Sequence, residues 1–229
     1  MSSIADNIGS VTRRIQKATL KAGRDPDSVR LLAVSKTRPP EDLRAAFEAR
    51  QQAFGENYLQ EALDKIGALD DLDGIEWHFI GPIQSNKTRQ IAESFAWVHS
   101  VDRLKIARRL SEQRPESLPA LNICLQVNIN NEDSKSGCTL DELPELVSAI
   151  SDLPNISLRG LMAIPAPAET SEARRAPLAA LRQAAQSLPL DLDTLSMGMS
   201  DDLTEAVQEG ATIVRVGTAL FGQRQYPNT

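Results

Sequence analysis

The stretch Leu31-Leu32-Ala33-Val34-Ser35 is a short apolar run that ends at Lys36 and precedes a helical pattern over residues 41–50. The same order, an apolar run followed by a helical run, recurs along the rest of the chain. Further strands are predicted at residues 53–55, 77–80, 97–101, 121–129, 158–164, 194–197 and 213–216. Helices are predicted between them, at residues 58–69, 86–94, 103–114, 140–153, 172–187 and 201–209.

This alternation predicts an α/β fold. The strand starts lie about 20 to 37 residues apart, which is the size of a βαβ unit. The strands are continuous apolar runs, as is typical of a parallel sheet covered on both faces. Eight such units predict one (β/α)8 TIM-type barrel domain over residues 1–229. A doubly wound open sheet is the alternative, and the weak second strand leaves a count of seven open.

An extra helix is predicted before the first strand. Ile4, Ile8, Val11 and Ile15 recur at a helical period and form one apolar stripe. Gly23 is expected to end this helix.

Composition and residue patterns argue against several kinds of partner, location and site. The 229 residues carry a formal net charge of −6, so nucleic acid is not an expected partner. No apolar run approaches the roughly 18 residues that span a bilayer, and the N-terminal region has no signal-peptide pattern. Cys124 and Cys138 make neither a disulfide framework nor a metal motif. We therefore expect a cytoplasmic protein without a metal site.

Chemistry in a (β/α)8 barrel is expected at the C-terminal ends of the strands. Lys36 stands directly after the first strand, where an apolar barrel mouth would disfavour the charged ammonium and leave the amine available as a nucleophile. Such a lysine can form a Schiff base with an aldehyde. The alternative is a lysine whose side chain simply extends from the strand end into solvent.

A phosphate site is predicted in the loops after strands seven and eight, where barrels commonly bind phosphate. Ser200 is predicted to cap the helix over 201–209 and to leave N–H groups for an anion. Gly217 is predicted to let the backbone approach a ligand, and Thr218 adds a hydroxyl. An ordinary helix cap and an ordinary turn are the alternative.

An aldehyde-reactive lysine beside a phosphate site points to a phosphorylated aldehyde, of which pyridoxal 5′-phosphate (PLP) is the commonest. Arg215 shares one face of strand eight with Ile213 and Gly217. A guanidinium facing the pyridine nitrogen would keep that nitrogen unprotonated. The alternative for Arg215 is a salt bridge within the barrel.

The chain resembles the pyridoxal-phosphate homeostasis proteins, whose barrel is similar to the N-terminal domain of alanine racemase (fold type III). The resemblance spans nearly the whole chain and rests on segments 33–37, 54–58, 77–81 with 84–87, 128–130 with 135–137, 159–162, 197–201 and 215–222. One departure is Arg38, where the family commonly has lysine.

The resemblance implies a cofactor, PLP, and a set of residues that bind it. Lys36 would be the Schiff-base lysine, and Arg215 would lie beside the pyridine nitrogen. The phosphate contacts would be Ser200, Gly217 and Thr218, while Asn57 and Met199 would line the pocket. His78 receives no role and is interpreted as a core histidine.

Two classes of function remain open. One is a PLP carrier in intracellular vitamin B6 homeostasis, and the other is a PLP-dependent amino-acid racemase or decarboxylase of fold type III. Racemisation needs acid–base groups on both faces of the substrate. Racemase relatives take the second group from a tyrosine on a C-terminal domain that we expect this chain to lack, and its own tyrosines are Tyr58 and Tyr226.

We therefore expect a monomeric carrier without catalytic residues, whose partners are PLP and apo forms of PLP-dependent enzymes. A class I aldolase, which also uses a barrel lysine, is a third interpretation. No acid–base partner for it can be placed in the sequence.

Overall fold

The computed structural model describes residues 2–132 and 135–223. Its strands follow the predicted positions closely. They are β1 (Arg30–Val34), β2 (Ala53–Glu56), β3 (Glu76–Phe79), β4 (Trp97–Val101), β5 (Leu121–Val127), β6 (Ile156–Ala163), β7 (Thr194–Ser196) and β8 (Ile213–Val216).

Helices lie outside the sheet, before the first strand, between consecutive strands and after the last strand. They are α1 (Ile4–Lys21), α2 (Pro40–Glu48), α3 (Leu59–Ala68), α4 (Thr88–Ser94, preceded by a 3₁₀ turn at Ser85–Lys87), α5 (Leu104–Gln113), α6 (Leu143–Ser151), α7 (Ser171–Ser187), α8 (Leu203–Gln208) and α9 (Thr218–Phe221).

The eight strands form a closed barrel in which every neighbouring pair is parallel. Closure occurs between the first and last strands, where Ala33 is in register with Val216. The barrel with eight strands is thus confirmed over the open sheet. The short second strand is real, and all four of its residues are buried.

Buried side chains fall into two apolar clusters that alternate along the strands. The smaller cluster comprises Leu32, Ala53, Ile80, Trp97, Cys124, Met162 and Ile213. The larger one packs the strands against the helices and includes Phe54 and Phe79. Neighbouring residues Trp97 and Val98 belong to different clusters, because successive side chains point to opposite faces of a strand.

The predicted N-terminal helix is present and packs against the last part of the barrel. Ser3 and Asp6 close a reciprocal cap at its start, and Gly23 follows its end with a φ of 68°. Asn7 Nδ2 donates to the carbonyl of Leu220 over 2.8 Å, which fixes α9. Arg14 Nη1 donates to the carbonyl of Ser200 over 2.7 Å, which fixes the loop between β7 and α8.

The prediction that Ser200 caps the next helix is wrong. That helix, α8, begins at Leu203, and Asp202 occupies the cap position. The Asp202 Oδ1 atom accepts a hydrogen bond from the Met199 N–H over 2.6 Å. Because this contact closes a turn over residues 199–202, Ser200 lies inside the turn.

Several boundaries differ from the sequence prediction, among them those of the fifth strand and the sixth helix. Strand β5 ends at Val127 because the Asn128 N–H turns to the carbonyl of Cys138, 2.9 Å away. Helix α6 begins at Leu143 after a turn at residues 140–142. No helix of the described residues is long and apolar enough to cross a membrane.

We predict that Gly198→Ala lowers the free energy of unfolding by roughly 1–3 kcal/mol. Gly198 has a φ of 93°, and an added Cβ would lie 2.4 Å from the Cβ of Ala206. Urea denaturation measures the effect. Gly67→Ala in α3 is the matched control, since its Cβ would meet nothing within 4 Å and should raise stability by about 0.5–1 kcal/mol. Equal effects of the two changes would contradict the prediction.

Candidate functional site

A cavity of about 500 Å³ opens at the C-terminal ends of the strands. This volume is typical of a small-molecule site. All seven residues singled out from the sequence line it, namely Lys36, Asn57, Met199, Ser200, Arg215, Gly217 and Thr218. Val34, Arg38, Ile80, Ile164, Asp201 and Ala219 complete the wall.

Lys36 projects from a backbone that is held on both sides. Before it, the buried Ser35 hydroxyl donates to Glu56 Oε1 over 2.6 Å. After it, Thr37 adopts a φ of 62°, which is unusual for a β-branched residue. The Thr37 N–H donates to Glu61 Oε1 over 2.5 Å, and this contact holds the strained turn in place.

A buried ammonium supports this segment from below. Lys65 Nζ donates to Glu56 Oε1 over 2.8 Å, to Glu61 Oε1 over 2.5 Å and to the Ser35 carbonyl over 2.7 Å. Burial raises the pKa of Glu56, while the charge of Lys65 and its hydrogen bond act in the opposite direction. Lys65 thus connects both flanks of Lys36 to the start of α3.

Two loops share the cavity wall with Lys36. Ser200 and Met199 belong to the turn after β7, where Arg14 and Asp202 fix the backbone. Gly217 and Thr218 form the junction between β8 and α9.

Gly217 has a role in packing between strands. A Cβ at Gly217 would lie 3.0 Å from the Val34 carbonyl oxygen, so the glycine allows the ends of β8 and β1 to approach closely. Gly217 also lines the cavity, and its contact with a ligand stays a prediction. Close approach of the two strand ends is what brings the β8–α9 junction next to Lys36.

Arg215 is a buried cation at the base of the cavity. Its guanidinium donates to the Ser196 carbonyl over 2.6 Å, to Ser196 Oγ over 2.8 Å and to the Ala163 carbonyl over 2.8 Å. Burial lowers its pKa to about 10, so it stays charged at neutral pH. Among the described residues no carboxylate forms an ion pair with Arg215, so the salt-bridge interpretation finds no partner there.

Asn57 adds a polar side chain to the cavity wall. Its Oδ1 atom is buried and has no hydrogen-bond partner among the described residues. A buried acceptor without a donor costs free energy. This cost is lowered if the side chain turns to accept a hydrogen bond from a bound molecule or from water.

Sequence reasoning missed the residues that support the site from behind. Arg38 was noted only as a departure from the family pattern. It lines the cavity, donates to the Gly222 carbonyl and lies 6.0 Å from the centre of the Phe221 ring. Ser196 lies on the face of β7 that points into the barrel, and it was not predicted as a site residue. The alternation of inward-facing and outward-facing residues along a strand could have identified it.

Other reactive residue types are placed elsewhere. Tyr58 is exposed and does not line the cavity, and Tyr226 lies outside the described residues. Burial raises the pKa of both cysteine thiols to about 12, so neither is a thiolate at neutral pH. Across residues 2–132 and 135–223, no group of histidine, cysteine and acidic side chains could hold a metal ion.

Comparison with known proteins places the chain in a family. A family model described as "Alanine racemase, N-terminal domain" matches residues 7–225. The pyridoxal phosphate homeostasis protein of Pseudomonas aeruginosa PAO1 is 62% identical over 226 residues, which cover 99% of this chain and 98% of the relative. The chain belongs to the pyridoxal phosphate homeostasis protein family.

A further pyridoxal phosphate homeostasis protein and a solved structure extend the similarity. The Escherichia coli K12 protein is 50% identical over 234 residues, which cover 99% of each chain. The structure of PipY from Synechococcus elongatus PCC7942 with PLP bound has a TM-score of 0.82 and 38% identity, with 96% of this chain and 100% of PipY covered.

The barrel itself is shared more widely. Alanine racemase from Corynebacterium glutamicum has a TM-score of 0.69 at 21% identity, and the match covers 99% of this chain but 62% of the racemase. At this level of identity the similarity concerns the fold alone. The expected relation to the N-terminal barrel of alanine racemase is confirmed.

Proposed function

We propose that this protein binds PLP reversibly through Lys36 and acts as a carrier in vitamin B6 homeostasis rather than as an enzyme. One observation carries the proposal. A primary amine, two hydroxyl-bearing loops and a buried guanidinium surround one cavity of suitable size. These are the groups needed to hold an aldehyde, a phosphate and a pyridine nitrogen.

The residues present fit PLP. When bound, PLP supplies an aldehyde whose carbon forms a C=N bond with a primary amine as water leaves. Lys36 is the amine-bearing residue of the cavity wall. Ser200 and Thr218 offer hydroxyl donors, and Gly217 offers a backbone N–H, which together suit a phosphate. Asn57 adds a polar side chain to the same wall.

Arg215 sets the electronic character of the site. An arginine cannot accept a proton or a hydrogen bond, and beside a pyridine nitrogen it can only donate. The nitrogen then stays unprotonated, so the ring withdraws electrons less strongly than it would next to an acidic residue. An arginine at this position therefore favours holding the aldehyde over stabilising carbanions.

The carrier interpretation also rests on which ionisable side chains line the cavity. The ionisable side chains in its described wall are Lys36, Arg38, Asp201 and Arg215. Neither histidine belongs to this wall, and both are completely buried. Amino-acid racemisation needs an acid–base pair on opposite faces of the substrate, and these residues offer only Lys36 in a suitable role.

The proposal extends to the setting of the protein. We propose that it delivers PLP to apo forms of PLP-dependent enzymes. We expect a monomer in the cytoplasm, where free thiols such as those of Cys124 and Cys138 stay reduced.

Borohydride reduction of the PLP-loaded protein should fix the cofactor on Lys36. Reduction converts the C=N bond into a stable C–N bond, and peptide mass spectrometry locates the adduct. Lys36→Arg keeps the positive charge but removes the primary amine, so it should give no adduct. An adduct on another lysine, or the same yield from Lys36→Arg, would contradict the assignment.

The double variant Ser200→Ala, Thr218→Val should weaken PLP retention by on the order of 1–3 kcal/mol, because hydrogen bonds to a charged phosphate are lost. Dialysis followed by absorbance of the bound cofactor measures retention. Ser148→Ala with Thr204→Val is the matched control outside the cavity. Equal retention by both double variants would refute the phosphate assignment.

Turnover of a panel of amino acids by the loaded protein should stay well below 1 s⁻¹, the lower end of the ordinary enzyme range of about 1–10³ s⁻¹. The expected result follows from the lack of an opposed acid–base pair in the described wall. A turnover number of about 1 s⁻¹ or more with any amino acid would favour the racemase or decarboxylase interpretation.

A further inference from the structure

A file of hydrogen bonds runs through the barrel interior behind Arg215. Arg215 Nη1 lies 2.8 Å from Ser196 Oγ, which lies 2.8 Å from His99 Nδ1. His99 Nε2 lies 2.9 Å from His78 Nδ1, and His78 Nε2 lies 2.6 Å from Glu76 Oε1. The file therefore links a residue of the cavity wall to the start of β3, at the opposite end of the barrel.

The Glu76 end determines the direction of every hydrogen bond in this file once both rings are neutral. The Glu76 carboxylate can only accept, so His78 donates to it from Nε2. A neutral His78 then accepts at Nδ1 from His99 Nε2, and a neutral His99 accepts at Nδ1 from the Ser196 hydroxyl. The Ser196 oxygen in turn accepts from Arg215, which can only donate. Both rings thus carry their single proton on Nε2.

Burial and charge favour the same protonation states. The side chains of His78, His99 and Ser196 are fully buried. Burial lowers the pKa of His78 and lowers that of His99 well below its ordinary value, so both rings are neutral at pH 7. The file ends on an acceptor, Glu76, which ion-pairs with Arg30 over 2.6 Å.

Stacking fixes the rings in this arrangement. The His78 ring is stacked on Trp97, with ring centres 5.5 Å apart and planes 7° from parallel. His99 also contacts Trp97, at 5.7 Å between ring centres. Because these rings cannot turn freely, the Ser196 hydroxyl has a fixed acceptor, and the Ser196 oxygen presents a fixed lone pair to Arg215.

We propose that His99, acting through Ser196, is a positioning residue for Arg215. This inference rests on the proposed function, since it assigns the His99–Ser196 pair the task of aiming the guanidinium at the pyridine nitrogen of PLP. Without His99, the Ser196 hydroxyl would be free to rotate, and Arg215 would lose a directed acceptor. His78 and Glu76 hold His99 in the tautomer that the file requires.

Nitrogen NMR of protein labelled with ¹⁵N-histidine tests the file directly. The chain contains only two histidines, so a single variant assigns both sets of signals. At pH 7, with or without PLP, His78 and His99 should each show a neutral ring protonated on Nε2. A protonated Nδ1 on His99, or a cationic ring, would overturn the inference.

Variants at His99 and Ser196 test its effect on the cofactor. His99→Leu should release PLP about tenfold more readily, which corresponds to about 1.4 kcal/mol, and should shift the absorbance maximum of the bound cofactor. His99→Gln, which can accept and donate, should restore most of the retention. Ser196→Ala should cause the same loss of retention while leaving the His99 side chain on β4 intact. These losses would be absent if His99 merely filled space.

Val98→Ala is the matched control, because Val98 is a fully buried neighbour on β4 that belongs to the outer core. It should lower stability but leave the absorbance maximum unchanged. Retention by His99→Leu and Ser196→Ala equal to that of Val98→Ala would overturn the inference. If the unmodified protein fails to hold PLP on Lys36, the proposed function fails, whereas the histidine tautomers in the protein without PLP still decide whether the file exists.

Discussion

Pairing of β8 with β1 is the contact on which the candidate site depends. It places Ala33 of β1 beside Val216 of β8. The backbone after β1 then leads to Lys36 in the cavity wall, and the backbone after β8 leads to Gly217 and Thr218. Gly217 allows this approach, because a side chain there would press against the Val34 carbonyl. An open sheet with the same strands would separate the amine from the β8–α9 junction. The closed barrel therefore assembles a site from residues near opposite ends of the sequence.

The barrel interior tolerates a buried cation without an adjacent carboxylate. Arg215 is surrounded by carbonyl and hydroxyl oxygens, and the charge of Asp202 acts on it from a distance in favour of the protonated guanidinium. A buried charge is costly unless hydrogen bonds and opposite charge compensate it. The same arrangement leaves guanidinium donors available toward the cavity. In this way one set of contacts stabilises the fold and prepares the site.

Much of the fold and of the cavity wall was predictable from the sequence. Parallel strands buried on both faces leave continuous apolar runs, and their ends place Lys36 and Gly217 at the mouth of the barrel. The Ser200 cap was wrong because Asp202, two residues later, competes for the same turn by accepting from Met199. Short helices such as α9 have no period to detect.

Long-range polar contacts were beyond the reach of sequence reasoning. His99 and Ser196 lie on strands that are not neighbours in the sheet, and only the curvature of the closed barrel brings them together. Lys65 looks like an ordinary polar residue of an amphipathic helix, yet it is buried beneath Lys36 and joins Glu56 to Glu61. Residues of this kind become recognisable only once the packing is known.

A crystal structure of this protein grown with PLP tests the central claim most directly. The account predicts continuous density from Lys36 Nζ to the cofactor, with the phosphate between Ser200 and the Gly217–Thr218 junction and the pyridine nitrogen facing Arg215. Cofactor bound at another amine, or Lys36 directed into solvent away from both loops, would contradict it.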